Sequence, residues 1–257
     1  MTAMLRVEGL TKNFGGLAAV NGVDMLVEQG ELVGLIGPNG AGKTTFFNLV
    51  TGYTRPSSGT VTFEGKEVTG KRPHSVAARG MVRSFQQDNV FADFTVLQNV
   101  QLACHLNCGI NFWQTVFRTR SSRRNENRIK QRAEEILEVV GISQLAGTAA
   151  GSLPHGHKRM LGIAVALACE PKLLLLDEPL AGMNTAEVDE TIALVRKLWE
   201  SGLSVLLIEH NMRAAMSLCQ RFVVLSFGKK IAEGTPDEIR NDPEVIRAYL
   251  GTGGNAA

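Results

Sequence analysis

The stretch GPNGAGKTT, Gly37 to Thr45, stands directly after the apolar run LVGLI and opens the helix-patterned run KTTFFNLV. A strand, a glycine-rich turn, a Lys, a hydroxyl and a helix, in that order, wrap backbone around phosphate oxygens. Gly37, Gly40 and Gly42, with Pro38, Asn39 and Ala41 between them, let successive N–H groups converge on the anion. Lys43 then reaches the β- and γ-phosphates. Thr44 offers its hydroxyl to Mg²⁺, with Thr45 beside it, and the helix N-terminus adds a partial positive charge. A dinucleotide-binding loop is excluded by the glycine spacing, and in such a fold Lys43 would have no task.

The surrounding pattern agrees with an α/β sheet. Short β-rich runs fill the first third (LRVEGL, NGVDMLVEQ, ELVGLIG, GTVTFEG), and the last third alternates strand and helix patterns. That alternation predicts a mostly parallel sheet flanked by helices, one of them from about Thr185 to Glu200. The run KLLLLDEP describes a buried parallel strand that delivers Asp177 and Glu178 at its carboxyl end, where such sheets bind ligands. Asp177 suits a Mg²⁺ shell, and Glu178 suits a general base acting on water. LSVLLIEHN is a second buried strand, ending at His210, whose access to the γ-phosphate depends on strand order. Between Val96 and Ala168 the pattern is helical, with a charged, Ser-containing interruption expected around Arg118 to Asn127.

Composition narrows the class. With 257 residues and 44% apolar content the chain can bury a full core, and a formal net charge of +2 excludes a general nucleic-acid binder. The N-terminal stretch lacks a secretory pattern and no apolar run approaches a bilayer span, so a soluble, cytosolic chain is expected. Cys104, Cys108, Cys169 and Cys219 have neither CxxC nor zinc spacing and are read as reduced thiols. The charge is uneven: seven Arg or Lys and one acid, Glu126, lie between Arg118 and Arg132.

Taken together these residues resemble the ATP-binding cassette family, the ATPase subunits of ABC transporters, over essentially the whole chain. The resemblance implies a P-loop α/β fold: a mostly parallel core, an N-terminal antiparallel β subdomain and a helical insertion. Residues 1–95 then carry the β-rich and P-loop part of the ATPase core. Residues 96–168 form the helical subdomain with the signature motif, and 169–257 the second part of the core and the tail. The resemblance also implies ATP and Mg²⁺ as ligands, Phe14 stacking on adenine, Gln86 sensing Mg²⁺ and the permease, His210 as the switch histidine, and Asn184 in the loop after the catalytic acid.

The family signature, normally LSGGQ, contacts the γ-phosphate held by the other subunit. Here Leu153, Pro154, His155, Gly156 and His157 stand in its place, so only Leu153 and Gly156 persist. Pro154 removes a hydroxyl and an N–H, which weakens that contact, while the helix N-terminus and the Gly156 N–H can still receive an anion. Two imidazoles alone make a poor metal site.

The altered signature, RSFQQDNVFADFTVLQNV and GTPDEIRNDPEVIRAYLG resemble the ATPases of branched-chain amino-acid importers. That implies a second ABC ATPase as homo- or heterodimer partner, separate membrane permeases, an extracytoplasmic binding protein acting indirectly, no nucleic acid, and a peripheral place on the cytoplasmic face of the inner membrane. Alternatives are the related urea, amide or lipopolysaccharide systems, or a mainly scaffolding cassette whose partner leads hydrolysis. The translation and DNA-repair types of ABC ATPase fit less well, since neither a second cassette nor a coiled-coil insertion is present. Ile110, Trp113 and Phe117 fall at helical spacing before the basic stretch. An amphipathic helix against the permease or anionic leaflet, and a solvated charged loop beside an internally packed helix, both stay open.

Overall fold

The structure, a computed structural model, describes residues 3–84, 90–107 and 120–250. Gln86, Cys108, the Ile110 to Phe117 stretch, Arg118 and the tail from 251 lie outside the described residues.

Two sheets pack around helix α1 (Lys43–Val50). The first is antiparallel, in the order β2-β1-β4-β5, from β1 (Ala3–Phe14), β2 (Leu17–Glu28), β4 (Ser58–Phe63) and β5 (Lys66–Glu67). The second has the order β10-β9-β3-β8-β7-β6. Its strands are β3 (Leu32–Ile36), β6 (Met81–Arg83), β7 (Leu173–Asp177), β8 (Ser204–Ile208), β9 (Arg221–Ser226) and β10 (Lys229–Gly234). All neighbours in it are parallel except the β9–β10 hairpin. This is the expected mostly parallel core with an antiparallel N-terminal sheet.

The central strands β3, β7 and β8 are buried at every position because both faces are covered, and the pleat assigns alternate residues to opposite sides. Val33, Leu35, Leu173, Leu175, Leu206 and Ile208 join Phe46, Phe47 and Phe63 in the core beneath the first sheet. Leu32, Ile36, Leu174, Leu176, Val205 and Leu207 face the helices on the other side. Those helices include α3 (Val96–Asn107), α4 (Arg120–Val140), α5 (His155–Ala168) and α6 (Thr185–Glu200), while α2 (Pro73–Ala77) leads into β6. The chain closes with α7 (Met212–Leu218), α8 (Pro236–Asn241) and α9 (Pro243–Leu250).

One expectation is corrected. The interruption foreseen around Arg118 to Asn127 is, from Arg120 onward, the first part of α4. Arg, Lys, Glu and Gln are good helix formers, and Ile129, Ala133, Ile136, Leu137 and Val140 repeat at helical spacing and are buried, so charge on the opposite face does not stop the helix. Among the described residues no helix is long and apolar enough to cross a membrane.

Candidate nucleotide and hydrolysis site

The register brings three strand ends to one edge. Leu35 pairs with Ile208, Asp177 also pairs with Ile208, and β8 therefore lies between β3 and β7. The loop after β3, the acids Asp177 and Glu178 at the end of β7, and His210 after β8 converge there.

The loop from Gly37 to Gly42 is shaped by close approach. Gly37 and Gly42 lie at φ +149° and +100°, and a Cβ on either would run into the carbonyl oxygen of Leu225 or of Ala19. Only glycine fits. Gly42 caps α1, and Lys43, only 5% exposed, folds its Nζ onto the Gly37 carbonyl at 2.7 Å and the Pro38 carbonyl at 3.0 Å. Burial lowers the Lys43 pKa, and the carboxylates of Glu178 and Asp177 oppose that shift. Its ammonium is held by two backbone carbonyls of the loop, groups whose place phosphate oxygens can take. Asn39, Gly40, Ala41, Thr44 and Thr45 line the same cleft of about 350 Å³ as Glu178 and His210.

Glu178 is held on every side. Its backbone adopts φ +48°, a left-handed conformation that costs a residue with a Cβ. Its N–H donates to the Ile208 carbonyl at 2.9 Å, its own carbonyl accepts from Arg159 Nη1 at 2.5 Å, and its Oε1 lies 2.7 Å from His210 Nε2. Strand order thus brings His210 to Glu178.

Asp177, 6% exposed, is ion-paired with Arg83. Arg83 also donates to Asn48 Oδ1 at 2.6 Å and lies over the rings of Phe47 and Tyr53 at 5.8 and 5.9 Å. Sequence reading missed Arg83, although its place three residues before Gln86 was a signal. It also missed Glu209, which is 3% exposed and accepts from the N–H groups of Leu180 at 2.8 Å, His210 at 3.0 Å and Asn211 at 3.2 Å. Burial is the main cause that raises the Glu209 pKa; its three N–H donors lower it and the Glu178 charge raises it further. An acid at the end of a wholly buried strand, beside His210, was its legible sign.

The altered signature sits close by within the same chain. Pro154 occupies the N-cap of α5, one place ahead of the first helical turn, and Leu153 is buried. A Cβ on Gly156 would meet Glu187 Oε1 at 2.5 Å, and one on Gly182 would meet the His155 ring at 3.1 Å, so the start of α5 packs on the loop after Glu178. Asn184 caps α6 in a reciprocal pair with Glu187, at 3.0 and 2.9 Å. His157 Nδ1 and Arg159 Nε are buried without a hydrogen-bond partner among the described residues, and no group of three or more metal-binding side chains is found among them. Phe14 is 53% exposed, and Lys12 Nζ lies 5.1 Å from its ring centre, covering one face.

The family profile described as ABC transporter matches residues 20–181. The chain belongs to the ABC transporter family. A second profile, described as branched-chain amino acid ATP-binding cassette transporter, matches residues 229–255 of this cassette. The high-affinity branched-chain amino acid transport ATP-binding protein BraF of Pseudomonas aeruginosa is 44% identical over 96% of this chain and 98% of its own length. LivG of Escherichia coli, with the same description, is 41% identical over 96% of this chain and 98% of its own. The lipopolysaccharide export ATP-binding protein LptB of Haemophilus influenzae is 34% identical over 97% and 98%.

Among solved structures, a nucleotide-free ATP-binding cassette from an ABC transporter superposes with a TM-score of 0.83 at 32% identity, over 96% of this chain and 99% of that one. The ADP conformation of the cassette MJ1267 gives 0.82 at 31%, over 98% and 100%. This cassette is accordingly a nucleotide-binding ATPase of the α/β P-loop fold.

Proposed function

We propose that this cassette powers uptake of branched-chain amino acids through separate membrane permeases. It works there as a peripheral subunit on the cytoplasmic face, paired with a second cassette. The observation that carries hydrolysis is Glu178 held 2.7 Å from His210 in the cleft of the phosphate loop. The cargo rests on BraF, LivG and the profile over residues 229–255. An extracytoplasmic binding protein selects the amino acid, so the cassette itself needs no pocket for it.

The chemistry follows from the residues. Lys43 leaves the Gly37 and Pro38 carbonyls for the β- and γ-phosphates of ATP, and Gly37 to Thr45 supply N–H donors around them. Glu178, aimed by His210, takes a proton from water as that oxygen attacks the γ-phosphorus. The bond to the bridging oxygen breaks, leaving ADP and inorganic phosphate. Phe14 presents the face not covered by Lys12 to adenine.

The donors are of the kind Mg²⁺ takes, a hard cation that prefers oxygen: Thr44, exposed at the first turn of α1, carries a hydroxyl, and Asp177 is a carboxylate whose present partner is Arg83. Thr44 and Asp177 would hold the ion, with Gln86 as a further ligand. When bound, Mg²⁺ neutralises charge on the β- and γ-oxygens. Leu153 and Gly156 in the helical subdomain 96–168, and Asn184 in the second part of the core, 169–257, face the nucleotide of the partner cassette.

The test is uptake of radiolabelled leucine by cells carrying this chain or its Glu178→Gln variant, with urea as competitor. Leucine uptake should collapse in the variant and ignore urea. Uptake that persists with Glu178→Gln rejects the cargo or the base, and phosphate release by the isolated pair of cassettes decides between them.

A further inference from the structure

The turn between β9 and β10 is built from Phe227 and Gly228, both at positive φ, +46° and +76°. A two-residue hairpin turn of this kind favours Asn, Asp or Gly at its first position, whereas Phe there bears the full Cβ penalty. Nor does the ring serve the core: at 84% exposure, Phe227 is the most exposed large apolar side chain among the described residues. A residue kept against backbone preference and without packing points to a role for its side chain.

The place of the turn says which role. The Gly228 N–H donates to the Ala41 carbonyl of the phosphate loop at 3.0 Å, and the Gly228 carbonyl accepts from the Asn21 N–H at 2.7 Å. A Cβ on Gly228 would meet the Ala19 and Ala18 carbonyls at 2.8 and 2.9 Å, so the turn is wedged between β2 and the loop. Phe227 and Leu17, the latter 69% exposed, are the two large apolar side chains lining the cleft that otherwise presents backbone, small side chains, hydroxyls, Lys43, Glu178 and His210. Phosphates take the polar lining. The apolar lining suits a nucleoside.

We propose that Phe227 contacts the nucleoside of bound ATP, giving base or ribose a second apolar surface besides Phe14. The proposal rests on the phosphate-binding reading of Gly37 to Thr45. A strained turn fixed to that loop by a hydrogen bond holds the ring in a set position relative to the phosphates.

The test variant is Phe227→Asn, which suits the turn and removes the ring; Phe227→Tyr retains the ring. Calorimetric titrations of the full chain with Mg-ATP and with inorganic tripolyphosphate separate base from phosphate binding. Expected for Phe227→Asn is ATP binding weakened about fivefold to a hundredfold, the range of base–aromatic contacts, with tripolyphosphate unchanged and Phe227→Tyr near wild type. Unchanged ATP affinity overturns the proposal, even if association with a second cassette is altered. Equal weakening of both ligands also overturns it, since the turn then acts through the loop. If the unaltered chain binds neither ligand, the reading of the loop itself falls and takes the proposal with it.

Discussion

Arg83 and Asp177 form a nearly buried ion pair whose two side chains are 13% and 3% exposed. Such a pair is costly to break from one side, because the survivor keeps its charge without compensation. Asp177 would be that survivor, at the end of an apolar strand. Arg83→Met is therefore expected to destabilise the fold by about 3 kcal/mol, read as a lower midpoint in urea unfolding with an unchanged slope; a shift under about 0.5 kcal/mol would show that water already shields the carboxylate. The same residue scale explains Glu178. Its backbone strain is tolerated because neighbours over-determine its position: the Ile208 carbonyl, Arg159 and His210 hold its N–H, its C=O and its carboxylate. Arg159 and His210 are in this sense positioning residues for the acid.

At the scale of elements, Glu209 ties the end of β8 to the segment that follows β7. Its Oε1 accepts the Leu180 N–H and its Oε2 those of His210 and Asn211, so one carboxylate fixes both loops that carry Glu178 and His210. A Gln at this position turns an NH₂ group toward N–H donors or leaves them unmet, and Glu209→Gln should cost about 1–3 kcal/mol. The pH dependence has a definite sign. Burial raises the folded-state pKa of Glu209, so its contribution to stability is full below the ordinary carboxylate range and declines as pH rises through the raised value. Urea unfolding of both proteins across that interval should show the penalty of Glu209→Gln shrinking toward the upper end, as the wild-type carboxylate takes on its buried charge; a penalty that grows with pH would contradict the assignment. Helix α4 illustrates the opposite case. Its pairs Lys130–Glu134 and Arg132–Glu135 are about half exposed, and water and salt leave them little to contribute.

For the whole molecule, the site is an edge where one sheet ends, and its parts are joined only through the fold. A ligand that binds the folded chain alone stabilises all of it at once. Saturating ATP at 100 times its dissociation constant should add about 2.7 kcal/mol, which for a chain of this length raises the melting temperature by roughly 5–10 °C. Lys43→Ala should abolish that rise, since the variant loses the cation the phosphates displace from the Gly37 and Pro38 carbonyls. A full ATP-dependent rise in Lys43→Ala, followed by thermal melting, would place the nucleotide elsewhere.

Much of this is legible in the sequence. The phosphate loop is contiguous from Gly37 to Thr45, so its chemistry is local and its spacing alone specifies it. The apolar runs that end in Asp177 and Glu178, and before His210, likewise declared buried parallel strands with polar ends. Yet strands buried on both faces read as unbroken apolar runs and say nothing about which lies beside which. Only the order β3-β8-β7 brings His210 to Glu178 across 32 residues of chain, and only the place of β6 brings Arg83 to Asp177 across 94. The groups that aim the acid come from separate elements, and the packing of those elements, a property of the folded chain as a whole, decided where each would meet.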